Sequence, residues 1–261
     1  VALPTVLAGC LPWLAQREEP IGSAGTTSAG ILDRGVYLER RCEHCVFYRR
    51  AARRFATPEL AGLVARAARA VNERFSGARL AVGDASARGG GRVSGHRSHQ
   101  SGRDVDLAFF VTTLDGRPAR ALPLARFDRF GVGVRGRVAL RFDDARNWAL
   151  VEALLADEEA DVQWVFVSRG LKARLLAHGL AAGARAELLE RAATVLHQPA
   201  DSSWHDDHFH VRVYCPRSGG HPYCRDLGPV WPWIADRRDR DRAGAAVDDA
   251  RLLEIARERD G

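Results

Sequence analysis

Residues 91–110 read GRVSGHRSHQSGRDVDLAFF, so that histidines and aspartates run directly into an apolar, strand-like pattern. A second stretch, residues 204–215 (WHDDHFHVRVYC), has the same character. Together the two stretches hold five of the nine histidines of the chain and four aspartates. Imidazole and carboxylate are ligand types of catalytic zinc, which takes about three protein ligands and keeps one position for water. The two stretches therefore predict one shared metal site.

The later stretch places two histidines, His208 and His210, in the alternating run HFHVRV. Because residues two apart in a strand face the same side, we expect both imidazoles to point into one cleft. In the earlier stretch Asp106 begins a strand-like run, and His99 precedes it in a loop that can bend back toward the strand. Solvated loops are the alternative, but burying such groups without a partner costs on the order of several kcal/mol, and a metal ion would supply that partner.

These residues carry a family resemblance. The sequence SHQSGRDVD (98–106), together with HDDHFHVRVYC (205–215), resembles the penicillin-insensitive murein endopeptidases. These belong to the lysostaphin, D-Ala-D-Ala-peptidase and sonic-hedgehog group of zinc proteins. The signature of that group is a His, six residues, an Asp and a later His-x-His, here His99, Asp106 and residues 208–210. The resemblance covers most of the chain.

The resemblance implies a bound zinc ion (Zn²⁺) with His99, Asp106 and His210 as ligands, and His96 is expected to line the same metal site. Metal-bound histidine commonly needs a hydrogen-bond acceptor. Asp104 is therefore expected to orient His99, although its position also suits a residue on the rim of the strand.

The resemblance also implies two catalytic histidines. His208 is expected to act as general base on the attacking water or to stabilise the charge of the transition state, and imidazole suits either role. His205 lies three residues earlier and matches another histidine of the family motif. We expect it to give electrostatic support.

The reaction that the resemblance implies is hydrolysis of a peptide cross-link of peptidoglycan, between D-Ala and meso-diaminopimelate. The chain has no Ser-x-x-Lys motif, which agrees with a mechanism that β-lactams do not inhibit. Two alternatives stay open. One is a D,D- or L,D-carboxypeptidase or dipeptidase of the same zinc group. The other is a non-catalytic, zinc-stabilised module that binds the cell wall.

Composition limits the fold and the partners. With 261 residues and 46% apolar residues the chain can bury a large core, and we expect an α+β fold in which helices flank a small antiparallel sheet that carries the zinc site. The net charge of +6 favours anionic partners such as cell-wall polymer, lipid headgroups or nucleic acid. No RNA-binding aromatic motif or helix-turn-helix pattern supports nucleic acid. The oligomeric state stays open.

The chain divides into three predicted regions. Residues 1–27 are interpreted as an anchor or linker, residues 28–235 as the zinc peptidase domain, and residues 236–261 as a charged extension. The run LAGC, which ends at Cys10, resembles a bacterial lipoprotein processing box, and the alternative is a chance match. A lipidated Cys10 would make the protein a membrane-anchored lipoprotein of the periplasm.

Four further cysteines favour an oxidising compartment such as the periplasm. Cys42 and Cys45 form a CxxC without a second CxxC at zinc-ribbon spacing, which favours a disulfide or tether. Relatives resemble the chain in the loop between Cys215 and Cys224, where a disulfide is plausible. Four cysteines allow three connectivities, and the resemblance favours Cys42–Cys45 with Cys215–Cys224.

The remaining elements are predicted from periodicity and caps. Thr57 and Pro58 predict the start of a helix over residues 57–75. The other predicted elements are strands over residues 80–84 and 162–167 and helices over residues 143–155, 171–176 and 184–196. Residues 112–141, which contain several glycines and prolines, are expected to form an irregular surface loop. Some relatives carry extra Asp and His metal ligands there, and this chain offers neither in VGVRGR (132–137).

Overall fold

The computed structural model describes residues 22–200, 202–217 and 222–241. Over these ranges the chain adopts the expected α+β fold, in which helices pack around a six-stranded sheet. The lipoprotein-like box at Cys10 and the charged extension beyond residue 241 lie outside the described residues. Among the described residues, no helix combines the length and the apolar content that crossing a membrane requires.

The strands of the described ranges form one six-stranded sheet, one four-stranded sheet and two sheets of two strands. In chain order they are β1 (Gly22–Gly25), β2 (Gly30–Asp33), β3 (Val36–Tyr37), β4 (Cys45–Phe47), β5 (Phe55–Ala56), β6 (Leu80–Val82), β7 (Asp104–Ala108), β8 (Val111–Thr113), β9 (Pro118–Ala119), β10 (Val132–Arg135), β11 (Val138–Phe142), β12 (Val162–Phe166), β13 (Leu196–His197) and β14 (His208–Val213).

The six-stranded sheet positions the predicted site. Its order is β13-β12-β14-β7-β6-β4. Neighbours from β12 to β6 are antiparallel, whereas the outer pairs β13–β12 and β4–β6 are parallel. The innermost pair, β14 and β7, carries the His-x-His run and Asp106. The predicted antiparallel sheet is therefore present, with one parallel strand added at each edge.

Helices cover the sheet, and their bounds are α1 (Pro58–Arg74), α2 (Asp144–Ala156), α3 (Arg169–Ala181), α4 (Ala186–Val195) and α5 (232–241). The first begins as predicted, because the Thr57 hydroxyl accepts the N–H of Leu60 at 3.4 Å and Pro58 occupies the first turn. Its apolar stripe is fully buried, and each large side chain of that stripe contributes about 1.5–3 kcal/mol.

A close approach between α2 and α3 depends on a glycine. Trp148 of α2 is 1% exposed and packs against Gly179 of α3. A Cβ at Gly179 would lie 2.5 Å from the indole ring, inside any normal contact distance. A side chain at this position would therefore push the two helices apart.

Residues 112–141 are not the irregular loop that the sequence suggests. The strands β8 to β11 form an antiparallel sheet in the order β10-β11-β8-β9. Phe142 of β11 enters the main core, where its ring packs edge-on against Phe109 with centroids 5.0 Å apart. The prediction was wrong because strands of two to five residues, broken by Gly and Pro, are too short for alternation to reveal.

Both disulfides that the resemblance favours are present, Cys42–Cys45 and Cys215–Cys224. The chain that follows the second disulfide returns to the sheet. Trp231 donates its indole N–H to the Gln163 carbonyl at 2.8 Å and packs against the core. Its neighbour Trp233 is partly buried and packs against the same core.

Candidate metal centre

The site lies on one face of the two central strands. In the β14–β7 register His210 pairs with Asp106 and Arg212 pairs with Asp104, so these four side chains share a face. The alternate residues, such as Phe209 at 0% exposure, enter the core on the other face. The alternation of HFHVRV therefore separates the site from the core as predicted.

His99 reaches this face from the preceding loop through an uncommon backbone conformation. Its φ is +65°, in the left-handed region, which costs an L-residue on the order of 1–2 kcal/mol. Two hydrogen bonds hold it there. Its N–H donates to Oδ2 of Asp104 at 3.2 Å, and its carbonyl accepts the Ser86 hydroxyl. The ring is fully buried and points toward Asp106.

Asp106 is the point on which the imidazoles converge. Its Oδ1 lies 3.3 Å from Nε2 of His99, 3.5 Å from Nε2 of His208 and 3.8 Å from Nδ1 of His210. Its Oδ2 lies 3.8 Å from Nε2 of His96. Within this group, the ligand atoms of His96, His99 and Asp106 all lie within 4.8 Å of one another. The structure thus brings the four predicted metal ligands and the predicted base together.

These residues fit a metal ion because polar atoms among them are buried without another partner. Both ring nitrogens of His99 and Oδ1 of Asp106 are buried and make no hydrogen bond, and such a group costs about 1–3 kcal/mol. Ligand atoms around a tetrahedral zinc, with bonds of about 2.0–2.2 Å, lie roughly 3.3–3.6 Å apart. The 3.3 Å between His99 and Asp106 matches that spacing. A cation between them would satisfy both residues.

Hydrogen bonding selects the nitrogen of His210 that faces the site. Nε2 lies 2.8 Å from Oδ1 of Asp104. Burial favours a raised pKa for Asp104, but Arg212 and His210 outweigh it and hold the pKa far below its usual range. Asp104 is therefore an acceptor, Nε2 donates, and the lone pair of Nδ1 faces Asp106. Burial, with the charge of His99, lowers the pKa of His210 to about 4, so the ring is neutral at pH 7, as a ligand must be.

Asp104 supports a different ring from the one expected. The sequence predicts that Asp104 orients His99, but its contact with His99 is to the backbone N–H. The ring that Asp104 holds is that of His210, and it also accepts Nε–H of Arg212 at 2.7 Å. Asp104 and His210 are 106 residues apart and meet only because β7 pairs with β14. Sequence spacing could not distinguish the two roles.

His208 is held between two carboxylates. Its Nδ1 lies 2.5 Å from Oδ1 of Asp207, so its Nε2 faces Asp106. Burial favours a lowered pKa for His208, but the two carboxylates outweigh it and raise the pKa to about 10. Burial likewise favours a raised pKa for Asp106, but the charges of His99 and His208 hold it well below its usual range.

His205 lies at the edge of the group rather than against Asp106. Its ring centroid is 5.5 Å from that of His208 and 5.8 Å from that of His210. Its backbone N–H donates to Oε1 of Gln198 at 3.0 Å, while its buried Nδ1 has no hydrogen-bond partner. Burial, with the charges of the neighbouring histidines, lowers the pKa of His205 to about 4, so this ring is neutral at pH 7.

Two residues that support His96 were missed in the sequence. Oδ2 of Asp84 lies 3.0 Å from Nε2 of His96 and 3.1 Å from Nη1 of Arg53. Arg53 also donates to the Ser94 carbonyl at 3.2 Å, which ties it to the loop that carries His96. The available signal was the position of Asp84, an acidic residue that directly follows the buried strand β6 and Gly83.

Tyr48 was also missed in the sequence, and it lies beside Asp106 at one side of the ligand group. A Cβ at Gly83 would lie 2.6 Å from the Tyr48 hydroxyl and 3.1 Å from Cβ of Asp106. The glycine therefore lets the tyrosine approach the carboxylate. Burial, with the charge of Asp106, raises the pKa of Tyr48 above its usual range, so the hydroxyl keeps its proton at neutral pH.

A cleft of about 590 Å³ opens over this face, and that volume lies within the usual range for small-molecule sites. Part of the lining comes from the sheet itself, namely from His208, His210 and Arg212 of β14, Trp164 and Phe166 of β12, and His197 of β13. The loop that carries His96 and Ser98 also lines it. Of the predicted ligands, His96 and His210 thus line the cleft, whereas His99 and Asp106 are buried and do not line it.

Known proteins share sequence similarity with this chain. The sequence profile of a family described as penicillin-insensitive murein endopeptidase matches residues 23–233. A penicillin-insensitive murein endopeptidase of Haemophilus influenzae is 32% identical over 155 residues, which are 58% of this chain and 48% of the relative. One of Escherichia coli O1:K1 / APEC is 29% identical over 210 residues, which are 78% of this chain and 72% of the relative. The alignment therefore spans about half the length of the Haemophilus protein. Because the profile matches most of the chain, including both histidine stretches, the chain belongs to the penicillin-insensitive murein endopeptidase family.

Proposed function

We propose that the chain is a zinc-dependent peptidase that hydrolyses peptide cross-links of peptidoglycan. The observation that carries this proposal is the convergence of three imidazole nitrogens on Oδ1 of Asp106, a buried oxygen without a hydrogen bond. A structural zinc site is closed by four protein ligands, whereas a catalytic one keeps an open position. The open cleft above this group favours the catalytic kind.

We assign His99, Asp106 and His210 as zinc ligands, with His96 beside them. Mixed nitrogen and oxygen ligands of this kind suit zinc. When bound there, zinc would supply a Lewis acid and a water whose pKa is lowered to about 7. The hydrogen bond from His210 to Asp104 would keep Nδ1 available as the ligand atom.

His208 is the residue that we assign to proton transfer. Its Nδ1 is fixed by Asp207, so its Nε2 points toward Asp106 and the ligand group. From this position Nε2 can take the proton of an attacking water and pass it to the leaving amine. In its protonated form the ring would instead stabilise negative charge in the transition state. The neutral ring of His205 would contribute to the electrostatic environment from the edge of the group.

The relatives supply the substrate class. Their names describe murein endopeptidases that penicillin does not inhibit, and we infer the D-Ala–meso-diaminopimelate cross-link for this chain. Such a substrate would place the protein in the periplasm or elsewhere in the cell envelope. The two disulfides are consistent with that compartment, because disulfides persist in oxidising surroundings. A lipid anchor through Cys10 stays a prediction.

The decisive experiment is mass spectrometry of purified cross-linked muropeptide dimers incubated with the protein, with and without a metal chelator. We expect conversion of dimers to monomers, loss of that conversion with the chelator, and recovery when zinc is added back. The masses of the monomers identify the bond that is cut.

Other products would point elsewhere. Intact dimers beside shortened monomer stems would assign the chain to the carboxypeptidases of the same zinc group. Zinc bound at one equivalent, with neither product formed, would favour a wall-binding module. Conversion that persists in chelator, after elemental analysis shows the zinc removed, would refute the role of zinc.

A further inference from the structure

Arg212 extends the functional face of β14 beyond the ligand group. It lies two residues past His210 on the same face, so its Cα is about 6.6–6.8 Å from that of His210 along the strand. Its side chain is 16% exposed and lines the cleft together with His208 and His210. An arginine is thus presented to the same cleft, one strand repeat from the metal ligands.

The guanidinium of Arg212 is held in place from two sides. Its Nε donates to Oδ1 of Asp104 at 2.7 Å, and that carboxylate is fully buried. Its Cζ lies 5.3 Å from the centroid of the Phe166 ring, over the ring face. Asp104 also accepts from His210, so a single carboxylate positions both side chains. The long arginine side chain is therefore ordered before any ligand arrives.

Most of the donor capacity of Arg212 is unused. Arginine carries five N–H donors in a planar fork, and among the described residues the hydrogen bond to Asp104 uses the one on Nε. The two terminal nitrogens are left for the cleft. A planar pair of donors of this kind matches the two oxygens of a carboxylate in a bidentate geometry.

We propose that Arg212 forms a subsite for a free carboxylate of the substrate, close to the bond that is cut. This inference rests on the proposed function. The distance along β14 places the carboxylate within about two residues of the scissile bond, since an extended chain advances about 3.3–3.6 Å per residue. Trp164 pairs with Arg212 across β12 and β14 and supplies an apolar wall beside it. The substrate class is a peptide with an unamidated carboxylate next to an aliphatic side chain.

The experiment compares acid and amide forms of one ligand. Zinc-loaded protein is titrated in a calorimeter with a stem peptide whose terminal carboxylate is free, and with the same peptide amidated. We expect the amide to bind about tenfold to a hundredfold more weakly, as for loss of a charge-assisted, bidentate pair. Arg212→Gln should weaken binding of the acid by a similar factor and leave the amide unchanged. The matched control is Arg137→Gln, which removes an equal charge from the turn between β10 and β11 and should change neither affinity.

Equal affinity of the wild-type protein for acid and amide would overturn the subsite. So would the lack of any measurable binding of the acid at millimolar concentration. If Arg212→Gln loses zinc by elemental analysis, Arg212→Lys keeps the charge beside Asp104 without the fork, and it should still lose most of the preference for the acid. If the protein prefers the acid but cuts no dimer, the carboxylate subsite stands and the proposed endopeptidase activity is refuted. If the protein cuts dimers with a free carboxylate and amidated dimers with equal KM, the endopeptidase activity stands and the subsite is refuted.

Discussion

The two faces of the β7–β14 pair differ in whether their side chains find matching partners in the protein. On one face Phe209 and Leu107 lie opposite each other and are fully buried among apolar side chains. On the other face His210 and Asp106 lie opposite each other, and Oδ1 of the carboxylate is buried without a hydrogen bond. Neighbouring residues of one strand thus lie in different surroundings. One packs in an apolar core, and the next belongs to a site in which a buried carboxylate oxygen has no hydrogen bond.

The residues that stabilise the sheet and the proposed ligand residues are thus separated by one position along the chain, not by a large distance. Closely packed apolar contacts on the core face stabilise the sheet whether or not a metal is bound. Polar atoms on the site face weaken the metal-free protein and become favourable only when a cation satisfies them. Adjacent substitutions should therefore produce different kinds of loss.

The largest contrast is expected from a pair of neighbouring variants. His210→Ala should lose zinc and hydrolysis of muropeptide dimers, because it removes a ligand, while the metal-free fold is retained. Phe209→Ala should lower the free energy of unfolding by about 3–5 kcal/mol, because it leaves a cavity in the core, while the folded fraction still binds zinc. Elemental analysis of zinc-loaded samples measures the first effect, and urea unfolding in chelator measures the second, with both variants tested in each. Full zinc occupancy in His210→Ala would refute the ligand assignment.

A smaller effect, confined to turnover, is expected at His208. His208→Ala should keep one zinc per chain and slow hydrolysis about 10²- to 10⁴-fold, as for loss of a general acid–base group. The measurement is the initial rate of dimer cleavage, with zinc content determined on the same sample. His178→Ala, which changes a histidine of α3, is the control and should match the wild type. An unchanged rate in His208→Ala would remove its assigned role.

The smallest effect is expected in the pH dependence of the stability of the metal-free protein. The folded-state pKa of His205 is about 4, below the usual value of about 6.5. Between these values the unfolded chain takes up a proton that the folded chain does not, so stability should fall as pH is lowered from about 6.5 toward 4. His205→Gln should flatten this decline in urea unfolding at pH 7 and pH 5, with chelator present. An equally steep decline in the variant would show that the ring is not held neutral.

Local patterns made part of the molecule predictable. The alternation in HFHVRV gave the two faces of β14, because strand periodicity needs no knowledge of neighbours. Thr57 and Pro58 gave the start of α1, because a cap acts on its own first turn. The grouping of His99 and Asp106 followed from the family signature.

Tertiary contacts made the rest unpredictable. Asp104 reaches His210 only after β7 and β14 have paired, so sequence spacing carried no signal of this contact. The same holds for Arg212, which reads as an ordinary polar residue of a strand until Asp104 and Phe166 are seen to hold it. The sheet of β8 to β11 was missed because its stability comes from packing on the core, not from the propensity of its short strands.

The left-handed backbone at His99 sets backbone strain against ligand supply at a single position. Glycine would adopt φ of +65° without steric penalty, so the backbone at this position would carry less strain with glycine than with histidine. That replacement would discard the imidazole that faces Asp106. Under the proposed zinc ligation, backbone strain and metal binding therefore act in opposite directions on residue 99, and histidine accepts the strain in order to supply a ligand.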